Sequence, residues 1–589
     1  MFFASLLACA SLCGAQPPGL QQAVNAAVDS AAAKFKTAFS VGIVHDDWEV
    51  STQAGVVNID TGEVITKDTM IPGGSVTKSW TGVRTMQLVE AGKIDLDTPA
   101  YTYIDPWLKA QGKPTLEEMF TAPGSDITVV TVKELLGMES GLADYTSLQE
   151  WTIAHPTEDY LPLDFISNMR KSFLFTPGGG GAAYSSNGFV LLGMMLTAVT
   201  GKADWTGLDQ LAAAGPQNQA KYNTTIFMHT GTCASHPNVP HQYYLKGPPP
   251  SSEDGSATGA KAVPPHPRRQ IPSIAQLAAE AEEAMSMART RAGHDVQAHA
   301  QERAAASGAL RLRGGEEPKA CSAQSGWQKD VEFEAATVIG YSKVSDASAC
   351  CDKANSPPYL YYPTIGWSFH ALLGDACVLY YNADMTRTKP SRGAETAIVV
   401  SPKPTRDWFG DFYNDSCLNG WTMGNIASSA IGVARFFHAL GAGELVSKEH
   451  LAMMQPNHVF TTGFAKCSTP SQPSNCLQYG LGLLSFPGRY KVDGTCTVDG
   501  CSCGGGGGCE WLVHSIGHPG QDWGSGFTLA GYFPQLGNLS IALATPTAIG
   551  LNTNLTLGDN FGFNQVLPCQ IMAAITAAIG APYPTLVCG

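Results

Sequence analysis

The chain has 589 residues, with 36 Lys or Arg against 50 Asp or Glu, so its formal net charge at pH 7 is −14. This acidic balance, with no basic stripe to offset it, argues against nucleic acid as a partner. No apolar run is long enough for a membrane span. A chain of this length can form a large core with one or two appended modules.

The first residues predict a signal peptide. Residues 1–15 hold a short apolar stretch that ends at Cys13-Gly14-Ala15, although a positive charge before it is missing. Removing Cys9 and Cys13 leaves 14 of the 16 cysteines, enough for up to seven disulfides. The Asn-x-Ser/Thr sequons that agree with this route begin at Asn223, Asn414, Asn538 and Asn554. We therefore expect a disulfide-bonded glycoprotein that is secreted, or located in the lumen of the secretory pathway.

After two predicted strands, at 39–44 and 50–57, comes the sole Ser-x-x-Lys of the chain, formed by Ser75 and Lys78. Apolar residues then recur at three- and four-residue steps from Val76 to Val89, which predicts a helix. Serine and lysine one turn apart lie on the same helix face, so the amine can reach the hydroxyl. A serine hydroxyl needs such a neighbouring base to act as a nucleophile. The alternative is a solvated pair on an ordinary amphipathic helix.

Three further blocks follow in the chain. They are residues 127–142, which contain Ser140-Gly141-Leu142; residues 176–193, which contain Tyr184-Ser185-Ser186-Asn187; and Tyr479-Gly480-Leu481-Gly482. Beyond them, residues 517–543 predict two antiparallel strands joined by a turn at 534–537. Helices are predicted over 427–440 and 568–579, the latter with Pro568 in its first turn.

The middle of the chain has a different composition. Residues 246–320 open on prolines and serines and continue with few large apolar side chains, which predicts a linker with a solvated helix or disorder. Residues 321–385 are rich in cysteine and aromatic residues. This Cys-rich insert loosely resembles an apple-type (PAN) module, which would bind a sugar or protein ligand. A family-specific insertion loop is the alternative.

Around Ser75, and in the three later blocks, the sequence resembles the class C-like branch of the serine beta-lactamase, D-alanyl-D-alanine peptidase and esterase superfamily. The resemblance covers residues 38–245 and 395–580. It implies a beta-lactamase/transpeptidase-like α/β (α+β) fold, with an antiparallel sheet flanked by helices and a mainly helical subdomain that carries Tyr184. The expected domains are a signal peptide at 1–15, a catalytic domain in two parts at 16–245 and 386–589, the linker at 246–320 and the insert at 321–385.

The resemblance also implies roles for individual residues. Ser75 would be the nucleophile, and Lys78 and Tyr184 would carry its proton, with the choice of base left open. The backbone N–H groups of Ser75 and Gln521 would bind the oxyanion. The residues expected to meet the substrate are Ser186, Asn187, His518 and Gly520. Asparagine is usual where the register places Ser186, and many relatives carry a hydroxyl where Pro519 stands, so recognition of a substrate amide or carboxylate is weakened.

These residues predict a secreted serine hydrolase that acts through an acyl-enzyme on a small ester, amide or peptide, without a cofactor or metal. An esterase or amidase is the first expectation, and a D-amino-acid peptidase or beta-lactamase the second. A non-catalytic binding protein that retains the fold is the alternative from another class. A metallohydrolase is the third possible function. His236 and His241 are near each other in the sequence, but no carboxylate-histidine cluster surrounds them, which argues against it.

Overall fold

The structure is a computed structural model. It describes residues 16–121, 124, 126–144, 155–167, 173–215, 218–245, 328–333, 337–343, 347–354, 364–370, 376–381, 388–400, 403–417, 420–462, 466–467, 476–489, 511–522, 524–555, 560 and 563–579. The predicted signal peptide, the predicted linker at 246–320 and the cysteines at 501–509 lie outside these residues. The chain forms two compact units, one made of residues 1–269, 405–552 and 562–589, and the other of 270–404 and 553–561.

The first unit is built on an antiparallel sheet that joins both ends of the chain. Among the described residues it has nine strands. Eight lie side by side in the order His458–Val459, Gln478–Tyr479, Leu484–Arg489, Trp511–Gly517, Gly526–Phe533, Leu539–Thr545, Phe39–His45 and Trp48–Ala54, and the ninth, Gly520–Gln521, pairs with Gly526–Phe533. The strands predicted at 39–44 and 50–57 correspond to the antiparallel pair Phe39–His45 and Trp48–Ala54. The strand pair predicted within 517–543 is also present and turns at the short 3₁₀ helix Pro534–Leu536.

Helices cover this sheet. Phe39 to Val44 are all buried, so the strand is covered on both faces. The backbone of helix Ala430–Gly441 lies against Gly42, where a Cβ atom would come within 2.5 Å of the Ile431 Cα. Helices Leu20–Phe35 and Phe563–Ala578 pack on each other and on the sheet region. An antiparallel sheet flanked by helices is the predicted fold class, and it is confirmed.

A mainly helical region lies between the first strands and Thr225–Phe227. Its helices are Thr77–Glu90, Tyr101–Ala110, Leu116–Met119, Val132–Leu136, Pro162–Ser167 and Ser186–Val199. Helix Lys448–Met454 follows later in the chain. Small antiparallel ladders join Ile71–Pro72 and Thr225–Phe227 to Ile426–Ser428, Val56–Asn58 to Glu63–Val64, and Tyr243–Leu245 to Phe409–Asp411.

Two predicted helix boundaries are wrong. The helix predicted from 427 begins at Ala430, because Ile426–Ser428 pairs as a strand and the Ser429 hydroxyl caps the helix at the Gly432 N–H. The C-terminal helix begins at Phe563, so Pro568 lies inside it and not in its first turn. Apolar periodicity could not locate the first boundary, because the strand Ile426–Ser428 and the helix that follows it are both buried and both apolar.

The second unit contains a five-stranded antiparallel sheet in its described part. Its strands lie in the order Gln328–Phe333, Thr388–Val400, Thr364–His370, Ala376–Tyr381 and Thr337–Lys343. Cys350 of helix Ala347–Ala354 forms a disulfide with Cys377 of a strand. The strand Thr388–Val400 belongs to this unit, beyond the predicted boundary at residue 385. The predicted division into domains and the PAN resemblance stay predictions.

Disulfides and sequons can also be located. Among the described residues of the first unit, Cys233 is bonded to Cys417 and Cys467 to Cys476. The sequon residues Asn223, Asn414 and Asn554 are exposed, whereas Asn538 is half-buried. Within the described part of the chain, no helix has the length and apolar character needed to cross a bilayer.

Candidate active site

Ser75 lies at the entrance of a long helix. It is the middle residue of the 3₁₀ turn Gly74–Val76, which continues directly into helix Thr77–Glu90, and it is half-buried. Gly74 has a φ of +50°, and a Cβ atom there would come within 2.2 Å of the Gln521 carbonyl oxygen. Glycine is therefore required for the turn and for its close approach to strand Gly520–Gln521. The helix N-terminus turns backbone N–H groups and a positive dipole end toward Ser75.

Lys78 lies beside Ser75 and is almost fully buried. Its Nζ is 2.9 Å from the Ser75 Oγ and 3.0 Å from the Met423 carbonyl oxygen. Burial lowers the pKa of Lys78 from 10.5 to about 7, and the Asp144 carboxylate acts in the opposite direction. A large fraction of Lys78 is thus neutral near pH 7 and able to accept a proton.

Tyr184 contacts the same oxygen from another side. Its hydroxyl donates to the Ser75 Oγ at 2.9 Å. Burial raises the pKa of Tyr184, the bond to Ser75 lowers it, and Asp144 raises it further. The Lys78 Nζ lies 5.1 Å from the centre of the Tyr184 ring. The phenol therefore stays protonated and donates a hydrogen bond to Ser75, while the lysine is favoured as the proton acceptor.

The segment around Tyr184 is held by the 138–144 loop. The Ala183 N–H donates to the Met138 carbonyl oxygen at 2.9 Å. The Asn187 Nδ2 donates to Ala143 O at 2.9 Å, and the Ser186 N–H donates to Asp144 Oδ1 at 3.1 Å. Both residues begin helix Ser186–Val199, and both are buried. Ser186 and Asn187 thus bond to this loop and not to Ser75 or Lys78, and their predicted contact with substrate stays a prediction.

The predicted substrate strand also lies at Ser75. A Cβ atom on Gly520 would come within 1.9 Å of the Gly73 carbonyl oxygen and 2.7 Å of the Ser75 nitrogen. Gly520 and Gln521 pair with Phe527 and Gly526. The sheet therefore presents the backbone of Gly520–Gln521 directly beside the Ser75 turn, where the oxyanion hole is predicted.

His518 lies next to this strand in a neutral state. It is 2 % exposed, its Nδ1 is 2.6 Å from the Pro519 carbonyl oxygen, and its ring centre is 6.1 Å from that of Tyr184. Burial, and to a smaller extent the charge of Lys78, lowers the pKa of His518 to about 3. The hydrogen bond to the Pro519 carbonyl oxygen acts in the opposite direction. His518 could act as a positive group or as a neutral hydrogen-bonding group, and its burial favours the neutral one.

Pro519 lies in a break between two strands. Trp511–Gly517 lies within the sheet, between Leu484–Arg489 and Gly526–Phe533. The strand ends at Gly517 and pairing resumes at Gly520. Pro519 is tolerated because it lies in the break between two strands, where no ladder hydrogen bond needs its N–H.

Two residues near the site carried no signal in the sequence. Met423 supplies an acceptor to Lys78, and Asp144 shifts the pKa of both Lys78 and Tyr184. Tyr479, from a block that the sequence did single out, packs edge-on to Tyr184 and His518 at 6.4 and 5.8 Å. The Gly482 of the Tyr479–Gly482 block accepts a bond from the Ser79 hydroxyl at 3.0 Å. This block thus packs on the helix that carries Lys78.

The histidines weighed as metal ligands have other partners. His241 bonds to Asp411 and Asn58, and His236 to the Thr230 carbonyl oxygen. His229, which like His518 precedes a glycine by two residues, bonds to Gln210 and stacks on Trp421. No group of three or more metal-ligating side chains occurs within the ranges that the structure describes.

Comparison with known proteins finds a family match in the first third of the chain. Residues 25–208 match the family model named Beta-lactamase. The predicted resemblance to the serine beta-lactamase superfamily is therefore confirmed. The chain is also similar to penicillin-binding protein 4 of Amycolatopsis lactamdurans, with 27% identity over 150 residues, or 26% of this chain. The matched stretch spans 35% of that relative's length.

Two solved structures are similar along most of the chain. The D-stereospecific amidohydrolase from Streptomyces sp. is 17% identical, with a TM-score of 0.44, over 89% of this chain and 94% of that protein. The D-amino acid amidase from Ochrobactrum anthropi SV3 is 14% identical, with a TM-score of 0.47, over 95% of this chain and 99% of that protein.

Proposed function

We propose that the protein is a serine hydrolase that cleaves an ester or amide bond through an acyl-enzyme on Ser75. The observation that carries this proposal is the Ser75 Oγ held at 2.9 Å from both the Lys78 Nζ and the Tyr184 hydroxyl. The match of residues 25–208 to the family model named Beta-lactamase supports it, since members of that superfamily are generally serine hydrolases. No step requires a metal or cofactor.

The proton path follows from the two pKa directions. Neutral Lys78 accepts the Ser75 proton as the Ser75 Oγ attacks the substrate carbonyl. The N–H groups of Ser75 and Gln521 bind the oxyanion. Tyr184 protonates the leaving group, and the Lys78 ammonium returns a proton to the phenolate. Water then attacks the acyl-enzyme with Lys78 again as the base, which releases the acid and restores Ser75.

A binding protein that retains the fold accounts less well for Lys78. A buried amine whose pKa has been lowered by burial destabilises the folded state, because the unfolded chain would hold the proton. A protein that only binds gains nothing from this arrangement, whereas a hydrolase gains a base at neutral pH.

The predicted secretion is part of the proposal. It is supported by the N-terminal apolar stretch, by the described disulfides and by the exposed sequon residues Asn223, Asn414 and Asn554. Expression of the full chain in a eukaryotic host should give culture medium that contains the protein, with a mass that falls on treatment with N-glycosidase. Retention inside the cell without glycans would contradict this part.

The nucleophile is tested by covalent labelling. A fluorophosphonate probe should label the wild-type protein at Ser75, and Ser75→Ala should abolish the label and reduce ester turnover by several orders of magnitude, as for other catalytic serines. Ser79→Ala is a matched control on the next turn, since the Ser79 hydroxyl bonds to Gly482 and not to Lys78. A label that survives in Ser75→Ala, or that maps to another serine, would refute the proposal.

A further inference from the structure

Met138 has a backbone conformation that methionine rarely adopts. It follows helix Val132–Leu136 and has a φ of +59°. The Glu139 N–H donates to the Glu134 carbonyl oxygen at 2.8 Å, which is the hydrogen bond of a Schellman helix end. The left-handed residue of such an end is usually glycine, because a Cβ atom makes this conformation costly. A buried methionine at this position therefore points to a function for its side chain.

Met138 accepts hydrogen bonds from both neighbours of Tyr184. The Ala183 N–H donates to the Met138 carbonyl oxygen at 2.9 Å, and the Ser185 N–H donates to the Met138 Sδ at 3.2 Å. Ser185 is extended, with φ −142° and ψ 110°. In an extended segment, N–H groups two residues apart point to the same edge, so one residue can receive both. The backbone of Tyr184 is thus held on each side by Met138, while its hydroxyl bonds to the Ser75 Oγ at 2.9 Å.

The bond to sulfur is the part of this arrangement that glycine could not supply. Glycine would keep the carbonyl oxygen for Ala183 but would offer nothing to Ser185. A thioether is a weak acceptor. Ser185 is buried, however, and a buried N–H that loses its acceptor is costly. Without the sulfur the segment has to move to find another partner, and the Tyr184 hydroxyl would move with it relative to the Ser75 Oγ.

We infer that Met138 is a positioning residue for Tyr184, and that its sulfur holds the phenol where it can protonate the leaving group. Met138 acts through Tyr184, so its loss should affect most strongly those substrates whose leaving group needs a proton. This inference rests on the proposed function, since it assigns a residue that supports one step of the same reaction.

The test uses the butyrate esters of p-nitrophenol, phenol and ethanol. All three form the same acyl-enzyme, so their kcat/KM values differ through the binding and departure of the leaving group. p-Nitrophenolate is a stable anion and leaves without a proton, whereas ethoxide must be protonated as it leaves. We call kcat/KM for the ethyl ester divided by that for the p-nitrophenyl ester the leaving-group ratio. It reports how well the general acid is placed.

Met138→Leu keeps the apolar volume and removes the acceptor. Its leaving-group ratio should fall about tenfold or more below the wild-type value, because a well-placed general acid contributes roughly 10²–10⁴-fold. The phenyl ester should lie between the other two. Met572→Leu is the matched control, since Met572 is a buried methionine of helix Phe563–Ala578, and it should leave the ratio unchanged. An unchanged ratio in a folded Met138→Leu protein would overturn the inference.

Met138→Asn is the rescue variant. Its side-chain oxygen is as many bonds from the backbone as the methionine sulfur, and asparagine tolerates the left-handed conformation. It restores an acceptor but loses apolar volume, so it should keep the wild-type leaving-group ratio even with a lower melting temperature. If Met138 only fills space, Met138→Asn will lose more of the ratio than Met138→Leu, which would overturn the inference. Where Met138→Leu does not fold, the ratio of Met138→Asn decides: a wild-type value supports the inference, and a tenfold lower value contradicts it.

Labelling separates this inference from the proposed function. If a fluorophosphonate labels Ser75 and Met138→Leu lowers kcat/KM for all three esters equally, the inference alone fails. If Ser75 is not labelled and no ester is hydrolysed, the proposed function fails and the inference fails with it.

Discussion

At Lys78, burial and one carboxylate act in opposite directions on a single pKa. Burial is the larger effect and lowers the pKa to about 7, while Asp144 raises it. The amine is held between the Ser75 Oγ and the Met423 carbonyl oxygen, so its position does not depend on its charge alone. A base whose pKa lies near the working pH combines a usable deprotonated fraction with the strength to take a proton.

The first prediction concerns pH. Because Lys78 must be neutral to act, kcat/KM should rise about tenfold per pH unit below the pKa of Lys78 and level off above it, with a midpoint near 7. In Asp144→Asn the midpoint should move to lower pH, since the carboxylate that raises this pKa is gone. Stopped assays from pH 5 to 9 measure both curves.

Lys78→Arg is the matched variant for this profile. Arginine keeps the positive charge and the donors but stays protonated at any working pH. We expect its turnover to be close to background across the whole range. A flat profile for the wild-type protein, or full activity of Lys78→Arg, would contradict the assignment of Lys78 as the base.

The second prediction concerns substrate choice at Pro519. The site offers no hydroxyl at this residue to bind a substrate carboxylate, so kcat/KM for short-chain p-nitrophenyl esters should be well above that for nitrocefin. A polar group left without its partner costs about 1–3 kcal/mol, or roughly tenfold and more in rate. Pro519→Thr should raise activity on carboxylate-bearing substrates selectively.

Pro519→Val is the control for that gain. It has nearly the shape of threonine and also restores the backbone N–H, but it lacks the hydroxyl. Only Pro519→Thr should improve the ratio of nitrocefin to ester hydrolysis. Efficient nitrocefin hydrolysis by the wild-type protein, with ester turnover near background, would instead favour a beta-lactamase.

Among the elements, the short strand Gly520–Gln521 has the closest contact with the nucleophile turn. The chain stops pairing with Gly526–Phe533 after Gly517, passes Pro519 and pairs with that strand again at Gly520–Gln521. Glycines on both sides allow the approach, since a Cβ on Gly74 or on Gly520 would overlap backbone atoms of the other segment. The distance between the two proposed oxyanion donors is thus set by backbone packing and not by side chains.

The third prediction follows from that packing. In Gly520→Ala the new methyl group would have to displace the Gly73 carbonyl oxygen, at 1.9 Å, and the Ser75 nitrogen, at 2.7 Å. The strand should move away from Ser75, and kcat should fall about 10²–10³-fold, as when one oxyanion donor is lost. Steady-state kinetics, with the melting temperature measured in parallel, check this result.

Gly207→Ala is the control, because a Cβ there would meet only the Lys202 side chain at 3.7 Å. It should leave kcat and the melting temperature close to the wild-type values. If Gly520→Ala retained wild-type kcat, the Gly520–Gln521 strand would not form part of the oxyanion hole.

At the scale of the whole molecule, segments of the first unit that lie before and after the second unit in the sequence are joined to each other. Leu245 pairs with Phe409 in the ladder of Tyr243–Leu245 and Phe409–Asp411. The disulfide between Cys233 and Cys417 joins the same two parts of the chain. A strand that precedes the second unit in the sequence thus pairs with a strand that follows it, which is the usual arrangement for a tolerated insertion.

The fourth prediction is that the first unit folds without the insertion. Replacing residues 246–402 with a flexible linker of about eight residues should give a secreted protein whose Ser75 is still labelled by a fluorophosphonate. A shorter deletion, of residues 246–320 alone, should have even less effect on the melting temperature, because that segment has few large apolar residues. If the short deletion also abolishes secretion, the linker prediction is wrong.

Local parts of the site were predictable from the sequence because they depend on helix geometry. Residues three apart on a helix share a face, so Ser75 and Lys78 were expected to meet, and they do. Apolar patterns predicted the strands near 39–57 and 517–543 and the helix after Ser75. The partnership with Tyr184 needed the family resemblance, since the two residues are 109 positions apart.

Tertiary structure alone decided the chemistry of these groups. The pKa of Lys78 depends on burial and on Asp144, and its second partner, Met423, is 345 residues away in the chain. The neutral state of His518 depends on burial and on the charge of Lys78, against the bond to the Pro519 carbonyl oxygen, and no residue pattern encodes these effects. The sequence by itself determined which side chains share a turn, because local backbone geometry repeats. Solvation and long-range contacts decided which of them are charged, because both depend on how distant segments pack.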